Sequence, residues 1–209
     1  MAQADHDAHS GHGGNHPSAT PAATAEPWRP LDPNDLHYPC SAVAPKYLNA
    51  CYTIQTAAML YHVNGDVGRT AAACEQAPAR VRATCFESLG RDISSIAGPD
   101  YRRAVLLCDL APPGFRTDCN VGVVQSIINM NTDPAAGVPY CRAVTAADGK
   151  RACYGIVGRQ AMGLADPEAR REQACGRAEP AYVDVCLGTS TGRTISTTIT
   201  ARRGTTRAR

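Results

Sequence analysis

Aromatic side chains are scarce, at 5% of the 209 residues. A core without many large rings has to be closed by Ala, Val, Leu, Ile and cysteine, and small side chains suit helix-on-helix contact better than a sheet sandwich. An excess of charge of one sign is also lacking, the net being +2. The chain therefore carries no electrostatic footprint for nucleic acid. Lysine is nearly absent, Lys46 and Lys150 being the only two. No apolar run approaches the roughly 20 residues that span a bilayer, so no transmembrane segment is expected. The sequence contains no H-E-x-x-H, no G-x-S-x-G and no Walker loop, which are the motifs that would announce a metalloprotease, a hydrolase or a nucleotide site. Gly65 and Gly68 stand too close together to cradle a phosphate. With no nucleophile–base pair nominated, the expectation is a protein that is not an enzyme.

What is present is a periodic set of cysteines. Ten cysteines form the pairs Cys40/Cys51, Cys74/Cys85, Cys108/Cys119, Cys141/Cys153 and Cys175/Cys186, and successive pairs begin 34, 34, 33 and 34 residues apart. A fixed period of this size marks a repeat array. Zinc sites usually bring their ligands as closely spaced C-x₂₋₄-C pairs, which this chain lacks, whereas a gap of ten residues suits a staple across a helical hairpin. The repeat pairs each cysteine with its partner in the same unit; the other reading is ten buried thiols in a reducing cytosol. Disulfides persist in oxidising compartments, so the first reading implies a periplasmic or secreted protein. Ala2-Gln3-Ala4 has the small-x-small form that precedes a signal-peptidase cut, without a charged or apolar stretch before it. The expectation is a leader removed from this version, or a start placed too late.

Residues 1–30 are rich in His, Gly, Ala, Pro and Ser and bury too little to offset the entropy of ordering. They read as a disordered arm, followed by a helical-repeat domain over 31–188 and a Thr/Arg-rich tail over 189–209, mostly disordered. Within each unit, Pro45, Pro78, Pro112-Pro113 and Pro180 precede the second cysteine by six or seven residues, a place suited to the first helical turn. Tyr47, Val81, Phe115 and Tyr182 stand four residues before that cysteine, on its face of a helix. Long helices are expected to run from there, unbroken through Thr53-Ile54 in the first unit. Asp66, Asp100, Asp133 and Asp166 read as N-caps of shorter helices leading to the next first cysteine. Gly90 and Gly158, each five residues after a cysteine, suggest close crossings with a neighbour. The Cys141/Cys153 unit departs: Gly137 and Pro139 should kink its short helix, Gly149 replaces the apolar residue, and the unit reads as the weakest hairpin and the bend where a partner engages. The expected fold is all-α, an α-solenoid of about five disulfide-stapled helical hairpins with a 34-residue period. Each staple closes a ring of about twelve residues, for which the chain-entropy model gives roughly 3 kcal/mol.

Leu89-Gly90, Gly98, Asp100 and Arg103-Ala104, echoed by Gly65-Asp66-Val67, Arg69 and Ala71, resemble the Sel-like branch of the tetratricopeptide superfamily, which includes cysteine-rich secreted bacterial proteins. The resemblance implies a right-handed superhelix whose concave face binds a protein or peptide. Gln55, Arg91, Gln125 and Arg159 recur four to six residues after the second cysteine. They are candidates to line such a face and read a partner, the alternative being a solvated stripe. The repeat domain reads as a monomer without a cofactor. The exception is the arm, where His6, His9, His12 and His16 are four of the six histidines. Such a tract suits weakly bound copper, zinc or nickel, which makes a metal-handling envelope protein the alternative function; the bland reading is a polar spacer. Replacing these four histidines is expected to abolish most Cu²⁺ or Ni²⁺ uptake in titration calorimetry, with retained stoichiometry moving any site into the repeats.

Overall fold

The computed structural model describes residues 31–188. Over that span the protein is all-α, an α-solenoid with ten α-helices and no strand among the described residues. The entry segment runs through turns to Cys40, and α1 (Leu48–Tyr52) and α2 (Gln55–His62) make the first long element. Four hairpins follow, each a shorter helix leading into the next element: α3 (Val67–Gln76) into α4 (Arg82–Ala97), α5 (Tyr101–Cys108) into α6 (Arg116–Asn131), α7 (Val138–Ala143) into α8 (Ala147–Ala161), and α9 (Pro167–Cys175) into α10 (Val183–Leu187). The elements α2, α4, α6, α8 and α10 pack on one another in that order, and each shorter helix lies against the long helix of its own unit. All five expected disulfides are formed, with Cα–Cα distances of 5.5–5.6 Å.

The repeated prolines do not open the α-helices directly. They open the 3-10 turns Pro45–Tyr47, Ala79–Val81, Pro113–Phe115 and Pro180–Tyr182, and the α-helix begins with the next residue. Asp66, Asp100 and Asp133 cap as expected, their side chains accepting from the backbone N–H of Arg69, Arg103 and Ala135 at 2.9 Å. Asp166 does not: its backbone is left-handed, with φ +52°, and its side chain makes no capping bond. The first long helix is also not continuous. Thr53 and Ile54 fall between α1 and α2, the Thr53 hydroxyl donating to the Ala50 carbonyl at 2.6 Å.

At the α4–α6 and α8–α10 crossings units meet backbone on backbone. A β-carbon on Gly90 would lie 2.0 Å from the Cys119 carbonyl oxygen, and one on Gly158 would lie 1.7 Å from that of Cys186. Gly122, which the repeat pattern did not single out, makes the reciprocal contact, its missing β-carbon falling 1.9 Å from the Glu87 carbonyl oxygen. Only a residue without a β-carbon permits such an approach. Rings set the same register. Phe86, just after Cys85, stacks on Phe115 at 4.7 Å, and Tyr154, just after Cys153, stacks on Tyr182 at 5.3 Å.

Between α6 and α8 those two places hold Asn120 and Gly149. The Tyr140 ring, fully buried, is turned so that its hydroxyl donates to the Asn120 side-chain carbonyl, while Asn120 Nδ2 donates to the Arg116 carbonyl at 2.7 Å. Burial pushes the Tyr140 phenol up and keeps it a donor. Gly137 and Pro139 do shorten the helix, giving the 3-10 turn Pro134–Gly137 followed by the six residues of α7. The unit is nonetheless closely packed, since Val138, Tyr140, Cys141 and Val144 are 0–2% exposed.

Gly90→Ala is expected to destabilise the oxidised protein by about 1–3 kcal/mol, the usual range for overpacking. Helix propensity alone would favour alanine by about 1 kcal/mol, so the sign of the change in denaturant unfolding is decisive. Gly114→Ala, with open space around it, is the control. Tyr140→Phe leaves the Asn120 carbonyl without its buried donor and should cost about 1–3 kcal/mol in the same assay.

Candidate functional site

Residues spaced three and four apart share a helix face. On α4 this aligns Thr84, Glu87, Ser88 and Arg91, and on α6 it aligns Gly122, Gln125, Ser126 and Asn129. Together with Thr53 from the α1–α2 link they line a cavity of about 140 Å³. Hydroxyls, amides, one carboxylate and one guanidinium from three successive units thus meet in one place.

Behind the cavity runs a seam of hydroxyls. Thr56 is fully buried on α2 and gives its proton to Asp92 Oδ2 at 2.7 Å. Its other neighbour, the Ser88 hydroxyl at 2.6 Å, therefore donates to it. One repeat further, the Ser94 and Ser126 hydroxyls are hydrogen-bonded at 2.6 Å. Arg91 is anchored on all sides: Nε and an Nη donate to Asp92 Oδ1 at 3.0 and 2.8 Å, the same Nη reaches Ser88 Oγ at 3.3 Å, and the other Nη donates to the Thr53 carbonyl. The break after α1 frees that carbonyl, because a continuous helix would have spent it on a backbone N–H.

Among the described residues Glu87 has no such partner. Burial raises its carboxyl above the usual carboxylate range, and the nearby Asp118 charge raises it further. Asp118 is itself raised by burial. Among the described residues the ion pairs are Arg91–Asp92, Arg116–Asp109 and Lys150–Glu179, and none of them reaches Glu87 or Asp118.

Of the four candidate partner-reading residues, Arg91 and Gln125 come together here. Gln55 does not belong with them. It is 2% exposed, its Nε2 donates to the Leu36 and Tyr38 carbonyls at 2.8 Å each, and its Oε1 lies 2.9 Å from the Cys40 sulfur. It locks the entry segment, because the interruption between α1 and α2 turns it inward and because it follows its cysteine by four residues where the others follow by six. Arg159 is exposed on α8 and does not line this cavity. Thr84, Glu87, Ser88, Ser126 and Asn129 were missed, although hydroxyls at helical spacing on successive long helices were the available signal. His6, His9, His12 and His16 lie outside the described residues; among those described, no group of three or more His, Cys, Asp or Glu is arranged to hold a metal ion.

Two other polar places are internally satisfied. Lys150 Nζ bonds both Glu179 oxygens at 2.7 and 2.8 Å, and the Tyr154 hydroxyl donates to Glu179 Oε2 at 3.0 Å. Lys150 holds the Glu179 carboxyl below its usual range, while burial and then the bond to Glu179 push Tyr154 up to about 12. At the first unit a cavity of about 420 Å³ includes His37, whose Nδ1 is hydrogen-bonded to the Tyr52 hydroxyl at 2.8 Å and whose pKa is lowered by burial.

The raised Glu87 carboxyl has a consequence for stability. The folded state holds that proton more tightly than the unfolded state, so the ionised form opposes folding near neutral pH, and the penalty is relieved as pH falls through the folded value. Glu87→Gln should therefore raise Tm near neutral pH, with the gap closing below the carboxylate range in a Tm-against-pH series. No protein-family model, curated protein or solved structure matches the chain.

Proposed function

We propose that the protein is an exported helical-repeat binding or scaffold protein that holds a protein or peptide partner against its long helices, without catalysis. The observation that carries this reading is the polar cavity shared by three successive units, lined from the α1–α2 link, α4 and α6. A surface assembled from several repeats is how solenoids present a binding face. The absence of turnover is supported by the hydroxyls themselves, since Ser88 and Ser126 are bonded to Thr56 and Ser94 rather than to a base that would activate them. Export is supported by five disulfides, which persist in oxidising compartments. The likeness to Sel-like repeats agrees with it: Gly90 makes a backbone crossing, Asp100 caps α5, and Leu89 and Ala104 are each 1% exposed. The metal-handling alternative rests on the histidines of the arm alone.

A photo-crosslinking residue at Gln125 tests the proposal in envelope extract. It should give a discrete adduct that excess unlabelled protein competes away. The same group at Arg102, exposed on α5, should give none. Equal labelling at both positions would reject the long-helix face as the binding surface.

A further inference from the structure

The α4–α6 cavity holds a charge imbalance that packing does not require. Asp118, Gly122, Gln125 and Asn129 share one face of α6 by helical spacing, and Gly122 abuts the Glu87 backbone. Asp118 stands one turn before Gly122, outside the cavity lining, and its charge acts on the half-buried Glu87 carboxylate. The cation that a helix would supply is four residues on from Glu87, at Arg91. Its guanidinium is turned instead to Asp92, Ser88 and the Thr53 carbonyl, and Asp92 neutralises it at 2.8 Å. Glu87 and Asp118 are left uncompensated among the described residues.

Size limits what could compensate them. Pockets for whole drug-sized ligands run about 300–1,000 Å³, whereas this one is about 140 Å³, room for a single long side chain. Gln125 and Asn129 on its edge make no side-chain hydrogen bond to other described residues. An amide offers both a donor and an acceptor, the complement of a peptide group.

We propose that the cavity is a recognition pocket for one basic side chain, arginine or lysine, of a peptide segment, with Glu87 as its counter-ion, the nearby Asp118 adding to the negative field, and Gln125 and Asn129 meeting the adjoining peptide amides. The proposal rests on the peptide-binding reading above and narrows it. A guanidinium can engage a carboxylate through two parallel N–H···O bonds, so arginine should bind more tightly than lysine. Binding restores a positive charge beside two acids, so affinity should fall as salt rises.

The test is an amide NMR titration of the oxidised full chain with capped Ala-Arg-Ala, its citrulline counterpart and capped Ala-Glu-Ala. Shifts with the arginine peptide should concentrate at Thr53, residues 84–91 and residues 118–129. Citrulline, which keeps the shape without the charge, should bind roughly tenfold more weakly or less, and the glutamate peptide should give no shifts. Glu87→Gln, expected to fold at least as stably as the parent, should lose arginine-peptide binding by a similar factor, while Glu87→Asp retains part of it. Equal affinity for citrulline, an unchanged Glu87→Gln, or the same shifts from Ca²⁺ alone would overturn the proposal. A mixed peptide pool separates the two levels: binding on another face overturns the pocket and leaves the peptide-binding reading standing, whereas no binding anywhere overturns both.

Discussion

At two of the crossings, the cysteine that closes a hairpin also presents the carbonyl against which the preceding unit rests. Cys119 is bonded to Cys108 within its own unit, and its carbonyl is the surface that Gly90 of the preceding unit packs against. Cys186 stands in the same relation to Cys175 and Gly158. The staple therefore does more than reduce the entropy of the unfolded chain. It fixes the start of the long helix relative to the shorter one, and so sets where a backbone carbonyl is presented to the neighbour. A contact with no side chain between the helices tolerates little slack. That is compatible with a core of small residues only because the disulfide holds the geometry within each unit.

The departure between α6 and α8 shows how the same constraint is met with different residues. Five residues after Cys119 stands Val124 rather than glycine, so the helices cannot touch there as α4 and α6 do. The glycine is supplied instead by the turn ahead of α7: a β-carbon on Gly137 would meet Val124 Cγ2 at 2.7 Å and Ile128 Cδ1 at 3.0 Å, and the Pro134–Gly137 turn packs on both α6 and α8. The aromatic stack is exchanged in the same way, with Asn120 and Gly149 vacating the place of two rings and Tyr140 entering from α7. Substitutions that look like losses when read one position at a time form a single compensated set.

The period and spacing of the cysteines were enough to show the staples, the hairpins and the order of the helices, because both partners of each disulfide lie within one unit. Gly90 and Gly158 were legible for the same reason, as they recur at one offset. Gly122 occurs once at its offset, and its meaning depends on the Glu87 carbonyl of another helix, which no local pattern reports. The candidate site was half legible. Arg91 and Gln125 stand six residues after their cysteines and share a face. Gln55 was misjudged because its orientation depends on the interruption at Thr53 and Ile54, where hydrogen bonds of the short i to i−3 kind replace the helical ladder, as in Ile54 N–H to the Cys51 carbonyl at 3.2 Å.

That interruption links the fold to the cavity. With the Thr53 carbonyl freed, Arg91 gains an acceptor that an unbroken helix would have withheld. Arg91 then turns toward α2 and Asp92 and leaves Glu87, its ordinary partner four residues earlier, without a cation. Two other part-buried carboxylates are matched: Glu179 receives Lys150 and Tyr154, and Asp92 receives Arg91 and Thr56. The hydroxyl seam behind the cavity is likewise bonded at 2.6 Å in both of its inter-unit pairs. Against that background an unpaired carboxylate beside a second one lowers stability and adds nothing to packing. Perturbed groups of this kind gather where a protein does its work, and a positive charge brought from outside would relieve this one at neutral pH.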